Sequence, residues 1–140
     1  MIMKVEMLVE LGILVVITTG EFSLQEAQRT FLEILDSVTR HKTGKVLFDG
    51  RELRGKPAVT ERFSYGEFVA QAVAELTTRG VPRPLQFAYV LKEPVLDPGR
   101  FGETVAVNRG MLVKTFDNLE DAFGWLGKAP TDKTEAGDGQ

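Results

Sequence analysis

The sequence predicts one α/β domain in the order ββαβαβαβα, with a mixed, mostly parallel sheet flanked by helices. Three observations carry that prediction. Short apolar, β-branched runs alternate with longer segments whose apolar residues recur at helical spacing, the pattern of strands joined by right-handed crossovers. Capping residues stand at the heads of the helical segments. The stretch from Phe101 to Leu126 reads as a helix, a glycine stop, a short strand and a closing helix that carries the only tryptophan, Trp125.

Lys4–Glu10 and Gly12–Thr18 are the first two strands, and they can pair antiparallel around Glu10-Leu11-Gly12. The second is continuously apolar, which suits a strand covered on both faces. Thr19-Gly20-Glu21-Phe22 reads as a turn. Ser23 and Glu26 have the spacing of a capping box. Ala27, Phe31, Ile34, Leu35 and Val38 then follow a helical period, and Lys42-Thr43-Gly44 ends the helix. Val46–Asp49 is a short central strand. Residues 50–58 form a loop bearing Arg51, Arg54, Lys56 and Pro57.

A second helix starts near Val59 or Thr60 and runs to Thr78, with Phe63, Phe68, Val69, Ala72, Val73 and Leu76 on its apolar side. Ser64 with Glu67 offers an alternative capping box for its start. Gly80, Pro82 and Pro84 stop it. Gln86–Leu91 is a strand. Asp97-Pro98 opens a third helix, with the aspartate as N-cap and proline at the first helical position. Gly110 ends it, Met111–Phe116 is the last strand, and Asp117-Asn118-Leu119-Glu120 opens the last helix, which Gly127 stops. The domain is expected over residues 1–127, and the polar residues 128–140 as a flexible tail.

Composition narrows the function. A chain of 140 residues with 43% apolar and 26% charged residues reads as a globular, cytoplasmic protein. The run Leu11–Ile17 is too short for a membrane span, and Glu6 and Glu10 interrupt its approach. A net charge of −3 provides no basic footprint for nucleic acid. With no cysteine and a single histidine, disulfides and thiolate chemistry are excluded, and a metal site lacks partners. His41 would have to serve any Ser-His-Asp triad, yet it stands at a helix end beside Arg40 and Lys42, where cations suit the helix dipole. Gly99-Arg100-Phe101-Gly102 lacks the spacing of a dinucleotide or phosphate loop, so no cofactor is expected. Glu93, Asp97 and Glu103 have no spacing that forces a carboxylate pair, and a solvated surface accounts for them.

Two places remain for chemistry. Arg51, Arg54, Lys56 and Arg62 follow the Asp49 strand, where ligands of open α/β sheets bind, and the helix start near Thr60 adds free amides for an anion. The alternative is a solvated loop balanced by Glu52 and Glu61. Asn108-Arg109-Gly110 offers a binding pair, or simply a helix C-terminus. Trp125 with Phe116 and Leu126 reads as core.

Gly20-Glu21-Phe22-Ser23, Val46-Leu47-Phe48-Asp49, Ala106-Val107-Asn108-Arg109-Gly110, Val113-Lys114-Thr115-Phe116 and Ala122-Phe123-Gly124-Trp125-Leu126 resemble the SpoIIAA-like family, the fold group of STAS domains and bacterial anti-sigma factor antagonists. The resemblance runs from about Val5 to Leu126, and the C-terminal motifs look most like a stand-alone, largely uncharacterised subgroup. It implies a non-enzymatic regulatory module that binds a protein partner, or its own copy, through the loop after Asp49 and the next helix start. Family antagonists are switched by phosphorylation at that helix start. Their Asp-Ser-Ser-Gly pattern is absent here, and the nearest hydroxyls are Thr60 and Ser64. Asp49, Arg51, Thr60, Ser64, Asn108 and Arg109 are therefore the expected contact residues. A lipid-carrier branch of similar fold implies a second reading, a small amphipathic or apolar ligand held by Phe63, Tyr65, Phe68 and Phe101. That reading calls for a cavity of roughly 300 Å³. A third reading is an enzyme that uses Asp49, Arg51 and Thr60 around an anionic substrate.

Overall fold

The computed structural model describes residues 3–78 and 85–127. The expected stop at Gly80, Pro82 and Pro84 and the expected tail 128–140 lie outside the described residues. The elements are β1 (Lys4–Glu10), β2 (Ile13–Glu21), α1 (Leu24–His41), β3 (Lys45–Arg54), α2 (Val59–Thr77), β4 (Gln86–Leu91), α3 (Phe101–Asn108), β5 (Leu112–Phe116) and α4 (Leu119–Leu126).

The sheet order is β1-β2-β3-β4-β5. The hairpin β1–β2 is antiparallel, turning at Leu11 and Gly12, both at positive φ. The remaining pairs are parallel. Strands laid side by side in chain order by crossovers of one hand must send those crossovers over one face. Accordingly α1, α2 and α3 cover the same side. Phe31, Ile34 and Val38 of α1, Val69 and Ala70 of α2 and Ala106 of α3 meet Leu14, Val16, Val46, Phe48, Phe87, Tyr89 and Val113 there. The alternate residues Val15, Leu47, Ala88 and Val90 point the other way, where Ala122 and Leu126 of α4 cover them. This period of two makes one sheet serve two cores.

The structure corrects several boundaries. β2 does not turn at Thr19–Phe22: it continues to Glu21, past a register shift between Ile17 and Thr19, with Gly20 at φ 102°. β3 does not stop at Asp49. It continues to Arg54, because Glu52, Leu53 and Arg54 pair with Thr19, Gly20 and Glu21. The loop expected over 50–58 shrinks to 55–58. Ser64 is no helix start, since α2 begins at Val59 with the Glu61 carboxylate accepting the Ala58 N–H at 2.8 Å. The Ser23 hydroxyl caps α1 through the Glu26 N–H at 3.3 Å, whereas the Glu26 carboxylate pairs with Arg29. The third helix starts at Phe101, not at Asp97-Pro98. Asp97 instead closes a turn before it, accepting from the N–H groups of Gly99 at 3.1 Å and Phe101 at 2.8 Å. The stop expected at Gly110 and the helix start expected over Asp117-Asn118-Leu119-Glu120 hold: Gly110 has φ 93°, and the Asn118 side chain accepts the Asp121 N–H at 2.8 Å.

Candidate functional site

Helices α2 and α3 pack against each other through glycine. A methyl group on Gly66 would lie 2.7 Å from the carbonyl oxygen of Gly102, and one on Gly102 would lie 3.2 Å from that of Arg62. Gly66 stands in mid-helix, where glycine costs about 1 kcal/mol against alanine, and the two glycines together permit close backbone approach. The seam divides two features: an outer face that water reaches, and an inner cavity.

The outer face is built on one stripe of α2. Thr60, Phe63, Ser64 and Glu67 stand at i, i+3, i+4 and i+7, so they share a side of the helix. Phe63 stacks on Phe101 of α3, with centroids 6.2 Å apart, and both rings remain 38% exposed. Val59, 67% exposed, lies one turn before Phe63. The Arg109 guanidinium sits 5.7 Å from the Phe63 centroid and donates to the Glu67 carboxylate at 3.0 Å. It also donates to the Val105 carbonyl at 3.3 Å, closing the α3 C-terminus. Thr60 is exposed and Ser64 half-buried. The structure thus brings Thr60, Ser64 and Arg109 to one face, with the exposed Asn108 beside Arg109 at the helix end.

Asp49 and Arg51 do not join them. Asp49 pairs in register with Ile17 and Val90, whose side chains belong to the α4 side of the sheet. Its two carboxylate oxygens accept from Arg51 Nε at 2.9 Å and Nη2 at 3.0 Å, and the Arg51 N–H adds a bond at 3.2 Å. That hydrogen bonding raises the Arg51 pKa further and fixes its charge on its own strand. The grouping of Asp49, Arg51 and Thr60 around one anion is therefore not assembled. Arg62, read as a fourth member of the basic cluster, points elsewhere and donates to the carbonyls of Val95 and Pro94, each at 2.8 Å.

The inner cavity measures about 120 Å³. It lies at the carboxyl ends of β3, β4 and β5, on the side covered by α1, α2 and α3. Its walls are mostly apolar, with Phe22, Leu53, Val69, Leu91 and Val95 among them. Two of its lining residues, Tyr65 and Tyr89, are joined through their hydroxyls, 2.7 Å apart. Burial raises the pKa of both phenols and keeps them neutral. Arg62, Asp97, Arg100 and Glu103 line its polar end. Glu103 is not the solvated carboxylate expected from sequence. It accepts the Thr115 N–H at 2.9 Å and the Thr115 hydroxyl, and lies 3.8 Å from Arg100, which donates to the Thr115 carbonyl at 2.6 Å. Asp97 is held below the usual carboxylate range, first by the Phe101 N–H and also by the nearby Arg62 charge.

Of the four aromatics expected around a ligand, Tyr65 alone lines the cavity. Phe63 and Phe101 form the outer stack, and Phe68 packs against the main core. Sequence reading missed Tyr89, Gly66, Gly102 and the role of Arg100. The signal was present in two glycines inside helical patterns, which mark close backbone approach.

This is a SpoIIAA-like α/β fold. A crystal structure of an anti-sigma factor antagonist from Mycobacterium paratuberculosis matches it with a TM-score of 0.58 and 13% sequence identity, over 90% of this chain and 95% of that one. A protein of the DUF3478 family with a SpoIIAA-like fold, from Shewanella loihica PV-4, matches with a TM-score of 0.47 and 14% identity, over 89% of this chain and 93% of that one. No family model matches the sequence, and neither does any curated protein. Among the described residues no helix is long and apolar enough to cross a membrane.

Proposed function

We propose that this chain is a regulatory binding module that docks a protein partner through the outer face of α2 and α3. The exposed Phe63–Phe101 stack supports this reading, framed by Val59 and by the Arg109–Glu67 pair. Exposed aromatic rings with an arginine beside them and polar groups around them have the composition of an interface hot spot. The SpoIIAA-like fold of an anti-sigma factor antagonist is consistent with such a role. Thr60 is the regulatory hydroxyl, because it is exposed in the first turn of α2, one turn from Phe63. A phosphate there would put charge at the edge of an apolar contact and weaken it. Ser64, half-buried, is the second candidate.

Affinity capture from a lysate of the source organism, with the wild type beside Phe63→Asp, tests the docking face. A partner retained by the wild type and lost by the variant is expected; equal capture by both would reject the face. Incubation of the wild type and Thr60→Ala with lysate and ATP, followed by intact mass, tests the switch. A phosphate on both proteins would move the modification away from Thr60.

A further inference from the structure

The cavity behind the glycine seam has a chemistry of its own. Two hydroxyls bonded to each other leave one O–H over, whichever of them donates. The Tyr65–Tyr89 pair therefore keeps one O–H that finds no acceptor among the described residues. Buried polar groups in native structures are almost always matched, so an oxygen acceptor belongs in this space. The volume of about 120 Å³ falls short of the roughly 300 Å³ that a carrier of a lipid-like ligand calls for, so that reading is not met and a lipid chain is excluded. It is of the order of an apolar cavity of roughly 150 Å³ that takes benzene.

Charge at the polar end decides the rest. Two cations, Arg62 and Arg100, face two carboxylates, Asp97 and Glu103, and each cation has a committed neighbour. Arg62 holds two carbonyls and lies in the field of Asp97. Arg100 holds the Thr115 carbonyl near Glu103. The balance leaves no net charge to attract an anion into an apolar, low-dielectric space.

We infer that the cavity is a binding site for a small neutral amphipathic molecule. Its apolar body is about the size of one aromatic ring, and it carries one hydrogen-bond-accepting oxygen directed at the Tyr65–Tyr89 pair. This site is independent of the docking face and stands whether or not a protein partner is found.

Titration calorimetry and ligand-observed NMR on the full chain, with toluene, acetophenone and benzoate as probes, test it. Acetophenone is expected to bind about fivefold more tightly than toluene, the worth of one net hydrogen bond, and benzoate more weakly than either. The double variant Tyr65→Phe with Tyr89→Phe keeps the ring volumes. It is expected to bind toluene as before and to lose the preference for acetophenone. Val69→Phe, which fills the space, is expected to abolish binding of both. The proposal is overturned if the wild type binds neither neutral probe, which would leave water as the occupant. Tighter binding of benzoate overturns it, as does an acetophenone preference that survives in the double variant.

Discussion

Gly66 of α2 faces the carbonyl oxygen of Gly102 in α3 so closely that a methyl group on Gly66 would stand 2.7 Å from it. The same methyl would press on the Val105 side chain at 3.1 Å. The obstacle is backbone, which cannot swing aside as a side-chain tip can. Gly66→Ala should therefore destabilise the fold by about 2 kcal/mol, despite the better helix propensity of alanine. Urea unfolding followed by circular dichroism measures this. A more stable variant would mean that α2 and α3 separate freely.

Tyr65 and Tyr89 are the only two tyrosines of the chain. Burial raises both pKa values above that of a free phenol, roughly 10. The folded state therefore keeps protons that the unfolded state releases at high pH, and stability falls as pH rises past about 10. Tyrosinate absorbance should stay silent through that range and appear only with the loss of far-ultraviolet ellipticity. A signal at the ordinary phenol pH with the fold intact would contradict the buried pair.

Asp97 fixes the turn that leads into α3. Its folded pKa is depressed, so its contribution is complete above the unfolded carboxylate pKa and is lost as pH falls through the folded value. Asp97→Ala should cost about 1 kcal/mol at neutral pH, as the loss of a cap does. The gap between wild type and variant should narrow below about pH 4, where the unfolded-state carboxylate becomes protonated. Denaturant midpoints compared at neutral and acid pH read this out. A gap that stays constant would remove the carboxylate charge from the account.

Thr18 is fully buried in β2, and its hydroxyl oxygen has no hydrogen-bond partner among the described residues. An orphaned hydroxyl in a core costs free energy that a methyl group of similar shape does not. Thr18→Val keeps the β-branch and should raise stability by about 1 kcal/mol, read as a higher urea midpoint at an unchanged slope. A loss of stability would show that the hydroxyl is satisfied in solution.

Element type and order were legible in the sequence where one physical signal ruled. Helix α1 has a serine cap and an unbroken apolar stripe from Ala27 to Val38, and these residues are buried as the period requires. The far half of β3 was not legible, for a structural reason. β4 ends at Leu91 opposite Gly50, so Glu52, Leu53 and Arg54 pair with β2 alone. Such a two-stranded extension carries polar side chains and reads as loop. Of the proposed face, Thr60 and Arg109 could be found because they flank helix ends, and Ser64 because its spacing to Glu67 imitates a capping box. Their convergence could not, since the contact between Glu67 and Arg109 spans 42 residues. The cavity was hidden for the same reason. Its walls come from segments scattered from Met3 to Thr115, and each apolar lining residue is locally indistinguishable from ordinary core.

Each strand lies beside its immediate successor in the chain. A ribosome releasing this protein from its N-terminus therefore lays the sheet down edge by edge, and no late strand has to insert between two that are already paired. Until the segment from Leu112 to Leu126 emerges, the edge of β4 stays open. Val15, Leu47, Ala88 and Val90 likewise have no helix over them. Unpaired edges and bare apolar faces are what nascent chains aggregate through. The last helix thus completes the cover of the sheet among the described residues, and a chain halted before it would hold a nearly finished sheet with one side still bare.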